Sequence, residues 1–287
     1  MNHIFITNNF GKRDPYEITN EIFKYCVQNN MEYEIIRNRD DLSTEDIVRK
    51  YAKEGNVIYA VGGDGMINKV LNGVVNTGAS LGFIPYGTGN DFNRVMEKLD
   101  DGSYNVNVGK INDKFFINVA CFGIDADISN DERFIHNEFI PKQLRYHTGA
   151  LYHFINYEPK QLEVRYGNKT VLSDFSTIAV CNGNYYGGGY NIAPKANLFD
   201  YAFDVYFVNR LNRIKLANTI LKMKNGNHEE LKYVKKLLLD ELTIRSKHPI
   251  KANIDGEVLE DEVFTISFDN NIKIVNNQDM VKKVLRK

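Results

Sequence analysis

Residues 57–68 read Val-Ile-Tyr-Ala-Val-Gly-Gly-Asp-Gly-Met-Ile-Asn, and this stretch constrains the chain more than any other. A run of β-formers enters Gly62-Gly63-Asp64-Gly65, after which Ile67, Val70, Leu71 and Val74 recur at helical spacing. The pattern predicts a buried strand, a tight glycine turn and a helix. Glycines admit positive φ and carry no Cβ, so phosphate oxygens can approach the N–H groups that open the helix, where its dipole favours negative charge. Asp64 is the odd residue there. A carboxylate among phosphates acts through a metal, as a hydrogen-bonding partner of the nucleotide, or as a base; the plain alternative is an N-cap of its own helix.

The rest of the chain predicts what surrounds this unit. Ile4, Phe5 and Ile6 form a short strand, 7–14 a polar turn, 16–29 an amphipathic helix, 33–36 a strand and 43–53 a helix whose Ser43 and Asp46 have capping-box spacing. A further strand at 80–84 completes a βαβαβαβ alternation. That predicts a doubly wound parallel sheet with its ligands outside the carboxyl ends of the strands. After residue 117 short β-rich runs take over, at 114–119, 161–166, 176–181, 202–208, 237–245, 250–254, 263–268 and 272–275, with helices at 144–157 and 213–224. The expected organisation is an α/β nucleotide-binding domain at 1–117, a mainly antiparallel β-sandwich at 118–276, and a helix at 278–286 that packs back on the first domain.

A length of 287 residues suits one large domain or two ordinary ones, and a formal net charge of −1 argues against nucleic acid as a partner. Cys26, Cys121 and Cys181 are odd in number and widely spaced, which points to free thiols in a reducing compartment. Neither a signal-peptide pattern nor an apolar run long enough to cross a bilayer is present, so the expected location is cytoplasmic. The six His residues show no metal-ligand spacing.

A second glycine-rich stretch follows the 80–84 strand: Pro85-Tyr86-Gly87-Thr88-Gly89-Asn90-Asp91-Phe92, with Arg94 after it. Two such turns one βα unit apart lie side by side at the sheet edge and can form one nucleotide cradle. Neither is a Walker A sequence, and the dinucleotide fingerprint is absent. Together they resemble the diacylglycerol kinase catalytic family, which includes sphingosine, ceramide and bacterial lipid kinases. The similarity extends through Phe116-Ile117-Asn118-Val119, Phe122 to Ala126, Asn182-Gly183 to Gly189, Ala193-Pro194 to Asp204, and Asp255-Gly256-Glu257, in collinear order.

The resemblance implies ATP-dependent transfer of the γ-phosphoryl group to a lipid hydroxyl, most simply of diacylglycerol, in a cleft between the two domains. It implies nucleotide contacts from Thr7, Asn8, Asn9, Phe10 and Gly11, from Gly62, Gly63, Asp64, Gly65, Met66, Ile67 and Asn68, and from Thr88, with Asp64 near the phosphates and Mg²⁺. Asp91 and Asp125 would line the cleft. A second Mg²⁺ would sit on Asn197, Asp200 and Ala202, which offer oxygens to a hard cation. The general base would be Glu257 or Asp255, with Glu257 favoured and Asp64 next in line. The implied partners are ATP and a lipid met transiently at the inner face of the membrane, with a homodimer open as the assembly.

Each residue also has a structural reading: Asp91 as an N-cap or a partner of Arg94, Asp125 and Asp200 as turn residues, Asp255-Gly256 as a type I′ hairpin turn. Three positions depart from the family pattern. Met66 stands where threonine is usual, 7–11 lacks the usual proline and serine, and Tyr201 replaces a common glycine. Two other functions compete: an NAD kinase-like small-molecule kinase, which shares the Gly-Gly-Asp-Gly turn, and a nucleotide-binding regulator without catalysis.

Overall fold

A computed structural model describes residues 2–7, 15–39, 41–124, 126 and 158–286. The chain divides into two compact units, Met1–Val108 with Asn270–Lys287, and Gly109–Asp269. The division falls inside two long strands.

The first unit alternates strands and helices: β1 (His3–Thr7), α1 (Pro15–Gln28), β2 (Tyr33–Arg37), α2 (Thr44–Tyr51), β3 (Val57–Gly62), α3 (Asp64–Val74), β4 (Ser80–Pro85) and α4 (Asp91–Met96). β3 pairs in parallel with β1 and β4, and β1 with β2, giving the order β2-β1-β3-β4. β3 and β4 are buried at every position, the signature of parallel strands covered on both faces. Ser43 caps α2 by accepting from the Asp46 N–H, as its spacing predicts. β13 (Glu257–Asn276) ends here, with Ile274 and Val275 beside Leu81 and Gly82. The last helix, α6 (Gln278–Leu285), buries Met280 and Val284 in one core with Ile18, Ile22 and Tyr25 of α1.

Antiparallel pairing dominates the second unit. β6 (Lys114–Phe116), β7 (Val119–Gly123), β8 (Lys160–Tyr166), β9 (Lys169–Cys181), β10 (Phe203–Asn209), β11 (Val234–Leu239) and β12 (Glu241–Ile254) join β5 (Gly102–Ile111) and β13. The order is β11-β10-β9-β7-β12-β13, with β8 bridging β9 and β12. Phe122, Phe203, Phe264, Ile178 and Val205 lie at the centre of its apolar core. α5 (Arg213–Met223) is the helix expected at 213–224. The helix expected at 144–157 lies outside the described residues. All three cysteines are free and buried, and no helix among the described residues is long and apolar enough to cross a membrane.

The run at 237–245, read as one strand, is two. Asp240 separates β11, which pairs with β10, from β12, which pairs with β13. The run at 114–119 is broken likewise, by a bend at Ile117 and Asn118 whose N–H groups donate to a side chain rather than to a neighbouring strand.

Candidate active site

The two glycine turns of the first unit meet. Gly62 lies opposite Pro85 in the β3–β4 register, and the Tyr86 N–H donates to the Gly62 carbonyl at 2.9 Å. A Cβ on Gly87 would stand 2.3 Å from the Gly63 Cα and 2.7 Å from its nitrogen, so only glycine permits this approach. Asn90 closes the second turn by accepting from the Gly87 N–H at 3.1 Å and donating to the Gly87 carbonyl at 3.0 Å. Its φ of 54° lies in the left-handed region that asparagine tolerates better than most residues.

Asp64 binds the two turns together. Its Oδ2 accepts from the Asp91 N–H and its Oδ1 from the Phe92 N–H, both at 3.0 Å. The carboxylate therefore caps α4, a helix beginning 27 residues further on, rather than its own. The other end of α4 is held by Asn276, whose amide donates to the carbonyls of Met96, Leu99 and Asp100 at 3.0–3.2 Å. A six-residue helix has little stability alone, and here both ends are fixed by side chains from distant sequence. The start of α3 is different: its N-cap is Gly63 and no side chain caps it. The Met66 and Ile67 N–H groups donate to the Gly63 carbonyl at 3.0 and 3.1 Å, and a helix start of this kind favours negative charge.

Around this core, Thr88 is exposed and Asp91 is buried, with its carboxylate 3.6 Å from the Arg94 guanidinium. Met66, Ile67 and Asn68 are all buried on α3, so Met66 serves as a packing residue beneath the turn. Thr7 ends β1 opposite Val61, at the same carboxyl edge. It lines a hollow with Tyr16, Asn20, Ile35 and Arg37. Sequence reasoning passed over Arg37. Its place at the carboxyl end of β2, level with Thr7, becomes visible only once the parallel register is known. Asn8, Asn9, Phe10, Gly11 and Asp125 lie outside the described residues.

A second cluster forms in the other unit, around Asp255. Ile254, Asp255, Gly256 and Glu257 make a two-residue hairpin, with φ of 50° at Asp255 and 96° at Gly256, the pair of positive values that a type I′ turn demands. The Asp255 carboxylate turns inward, 3% exposed, and accepts from the N–H groups of Ile117, Asn118 and Val119 at 2.7, 2.9 and 2.9 Å. Asn182 completes the knot: its amide donates to the Ile117 carbonyl, and its own N–H and that of Gly183 donate to the Asn118 carbonyl, all at 2.8 Å. Three stretches, at 117–119, 182–183 and 255, thus meet in one hydrogen-bond network. Glu257 begins β13 directly after this knot and is partly exposed.

The 197–202 loop is exposed at Asn197, Asp200 and Tyr201. Asn197 Oδ1 accepts from the Phe199 N–H at 3.1 Å and Asp200 Oδ1 from the Ala202 N–H at 3.3 Å, so both side chains fold onto their own loop. The donors are oxygens, as Mg²⁺ requires, and the set fits a hard cation in chemistry. Tyr201 points to an aromatic group instead, its ring 5.9 Å from that of Phe268. Beyond the loop, Asp204 is buried 2.8 Å from Lys236; desolvation pushes its carboxyl upward and the ammonium opposes that.

An α/β unit carrying paired glycine turns, followed by an antiparallel β unit, has the NAD kinase-like fold. The model of the diacylglycerol kinase catalytic domain matches residues 2–113, and that of the YegS C-terminal NAD kinase beta sandwich-like domain matches 118–270. The chain belongs to the diacylglycerol kinase catalytic domain family with a YegS-type C-terminal domain. It is 27% identical to the diacylglycerol kinase of Bacillus subtilis over 229 residues, covering 71% of this chain and 72% of that protein. The crystal structure of a diacylglycerol kinase from Bacillus anthracis superposes with a TM-score of 0.70 at 16% identity, covering 98% of each chain. Yeast NADH kinase complexed with NADH shares the fold at a TM-score of 0.56 and 10% identity, covering 99% of this chain and 86% of that one.

Proposed function

We propose that this protein transfers the γ-phosphoryl group of ATP to the hydroxyl of a lipid, with diacylglycerol as acceptor and phosphatidic acid as product. The observation that carries the reading is the joined pair of glycine turns, locked by Asp64, beside a helix start that no side chain caps. Phosphoryl transfer is catalysed by positioning and charge stabilisation. In this reading the N–H groups opening α3 and the Thr88 hydroxyl hold the phosphates, and Thr7 closes the cradle at the end of β1. Asp64 is a positioning residue that fixes one turn against the other. Mg²⁺ entering with ATP would spread the phosphate charge. Glu257 takes the proton as the acceptor oxygen attacks phosphorus; the bond to the β-phosphate oxygen breaks and ADP leaves. Release of ADP in the presence of diacylglycerol, sphingosine, ceramide or NAD, each offered alone, tests the acceptor. Diacylglycerol is expected to give the fastest turnover, and NAD as the sole productive acceptor contradicts the reading.

Two further results are expected. Asp64→Ala removes two hydrogen bonds and the cap of α4, so it should lower stability by about 1–2 kcal/mol and abolish phosphorylation. Urea unfolding and a turnover assay check both; an unchanged midpoint with parental turnover would remove Asp64 from the account. The second concerns the 197–202 loop. Mg²⁺ bound to the native state raises the melting temperature by linkage, and Asp200→Ala should erase that increment. Equal Mg²⁺ stabilisation of variant and parent would show that the loop holds no cation.

A further inference from the structure

The stretch 210–236 carries eight Lys and Arg against two Glu, in a chain whose formal net charge is −1. At its centre, α5 buries Leu216 and Thr219 while Ile214 and Leu221 stand 83% and 73% exposed, the two most exposed large apolar side chains among the described residues. Seven residues apart, they share one helix face, about 10 Å from each other along the axis. The face opposite the buried pair is thus an apolar ridge.

Cations flank that ridge. Arg213 opens the helix and Lys224 caps its end. Lys215 lies 5.5 Å above the Tyr233 ring, and Lys222 is 3.5 Å from Glu230. Single exposed apolar residues are ordinary on soluble proteins. Two of them in register on a short helix bordered by Lys and Arg match the composition of helices that lie in a membrane interface. A second copy of the chain is a poor occupant, because a two-fold contact sets the same surface against itself and would oppose like charges.

We infer that α5 docks on an anionic lipid bilayer, with Ile214 and Leu221 among the headgroups and the flanking Lys and Arg on lipid phosphates. This rests on the reading of the protein as a lipid kinase and adds the surface by which it meets its substrate.

Co-sedimentation with large unilamellar vesicles tests it. The parent protein should pellet with phosphatidylglycerol–phosphatidylcholine vesicles far more than with phosphatidylcholine alone, and high salt should release it. Ile214→Gln/Leu221→Gln and Arg213→Glu/Lys224→Glu should each weaken partitioning at least ~10-fold. Both should melt like the parent and phosphorylate a short-chain diacylglycerol, dissolved as monomer, at the parental rate. Vesicle binding by both variants equal to that of the parent overturns the inference. So does a parent that ignores anionic vesicles, one that binds poly-glutamate but not vesicles, or a dimer that Ile214→Gln/Leu221→Gln splits. Loss of kinase activity toward the soluble acceptor in the parent, with vesicle binding as expected, leaves the docking surface standing and defeats the kinase reading instead.

Discussion

Glu257→Gln is expected to lower kcat by about 10²–10⁴-fold, the usual worth of a positioned general base, with no loss of stability. The amide keeps the shape of the side chain and removes its basicity. We propose Glu257 rather than its neighbour as the base. The Asp255 carboxylate is buried and engaged by three backbone N–H groups, whereas Glu257 stands partly exposed at the start of β13. Nucleotide affinity should be nearly unchanged, because the residues proposed to hold ATP belong to the other unit. Steady-state kinetics with a thermal melt on the same preparation checks the split. Parental kcat in the variant would move the base elsewhere.

Asp255→Ala should destabilise the protein by about 3–5 kcal/mol. Each buried N–H that loses its acceptor costs about 1–3 kcal/mol, and three lose theirs at once. Alanine is also disfavoured at the φ of 50° that this turn imposes. Asp255→Asn keeps one acceptor oxygen and tolerates the conformation, so about 2 kcal/mol is expected. Where that variant remains folded, it should turn over faster than Glu257→Gln. Urea unfolding measures the first expectation, and a change below 1 kcal/mol for Asp255→Ala contradicts it. A reversed order of activities would give Asp255 the role assigned to Glu257.

The contrast between these two residues shows what a linear sequence carries. The hairpin at Asp255-Gly256 was legible because positive φ at consecutive positions selects Asp-Gly locally. The target of the carboxylate was not, since Ile117, Asn118 and Val119 lie 136–138 residues away and only the paired strands bring them close. Asp64 repeats the lesson. Its glycine turn followed from a run of β-formers and helical spacing, yet an N-cap of its own helix and a carboxylate bound to α4 look alike in sequence. The parallel half was legible because strands buried on both faces give unbroken apolar runs. β5 was passed over although Tyr104, Val106 and Val108 alternate with Asn105 and Asn107 at strand period; the burial of Asn107 is what the alternation does not announce. The split at Asp240 escaped notice because polarity alone does not say which neighbour a strand pairs with.

Transfer of label from [γ-³²P]ATP to diacylglycerol in mixed micelles, resolved by thin-layer chromatography, tests the central claim most directly. Labelled phosphatidic acid should accumulate with the parent and Mg²⁺, fall by about two to four orders of magnitude with Glu257→Gln, and vanish with Asp64→Ala. Label appearing only as inorganic phosphate, or in phosphatidic acid at the same rate with all three proteins, would contradict it.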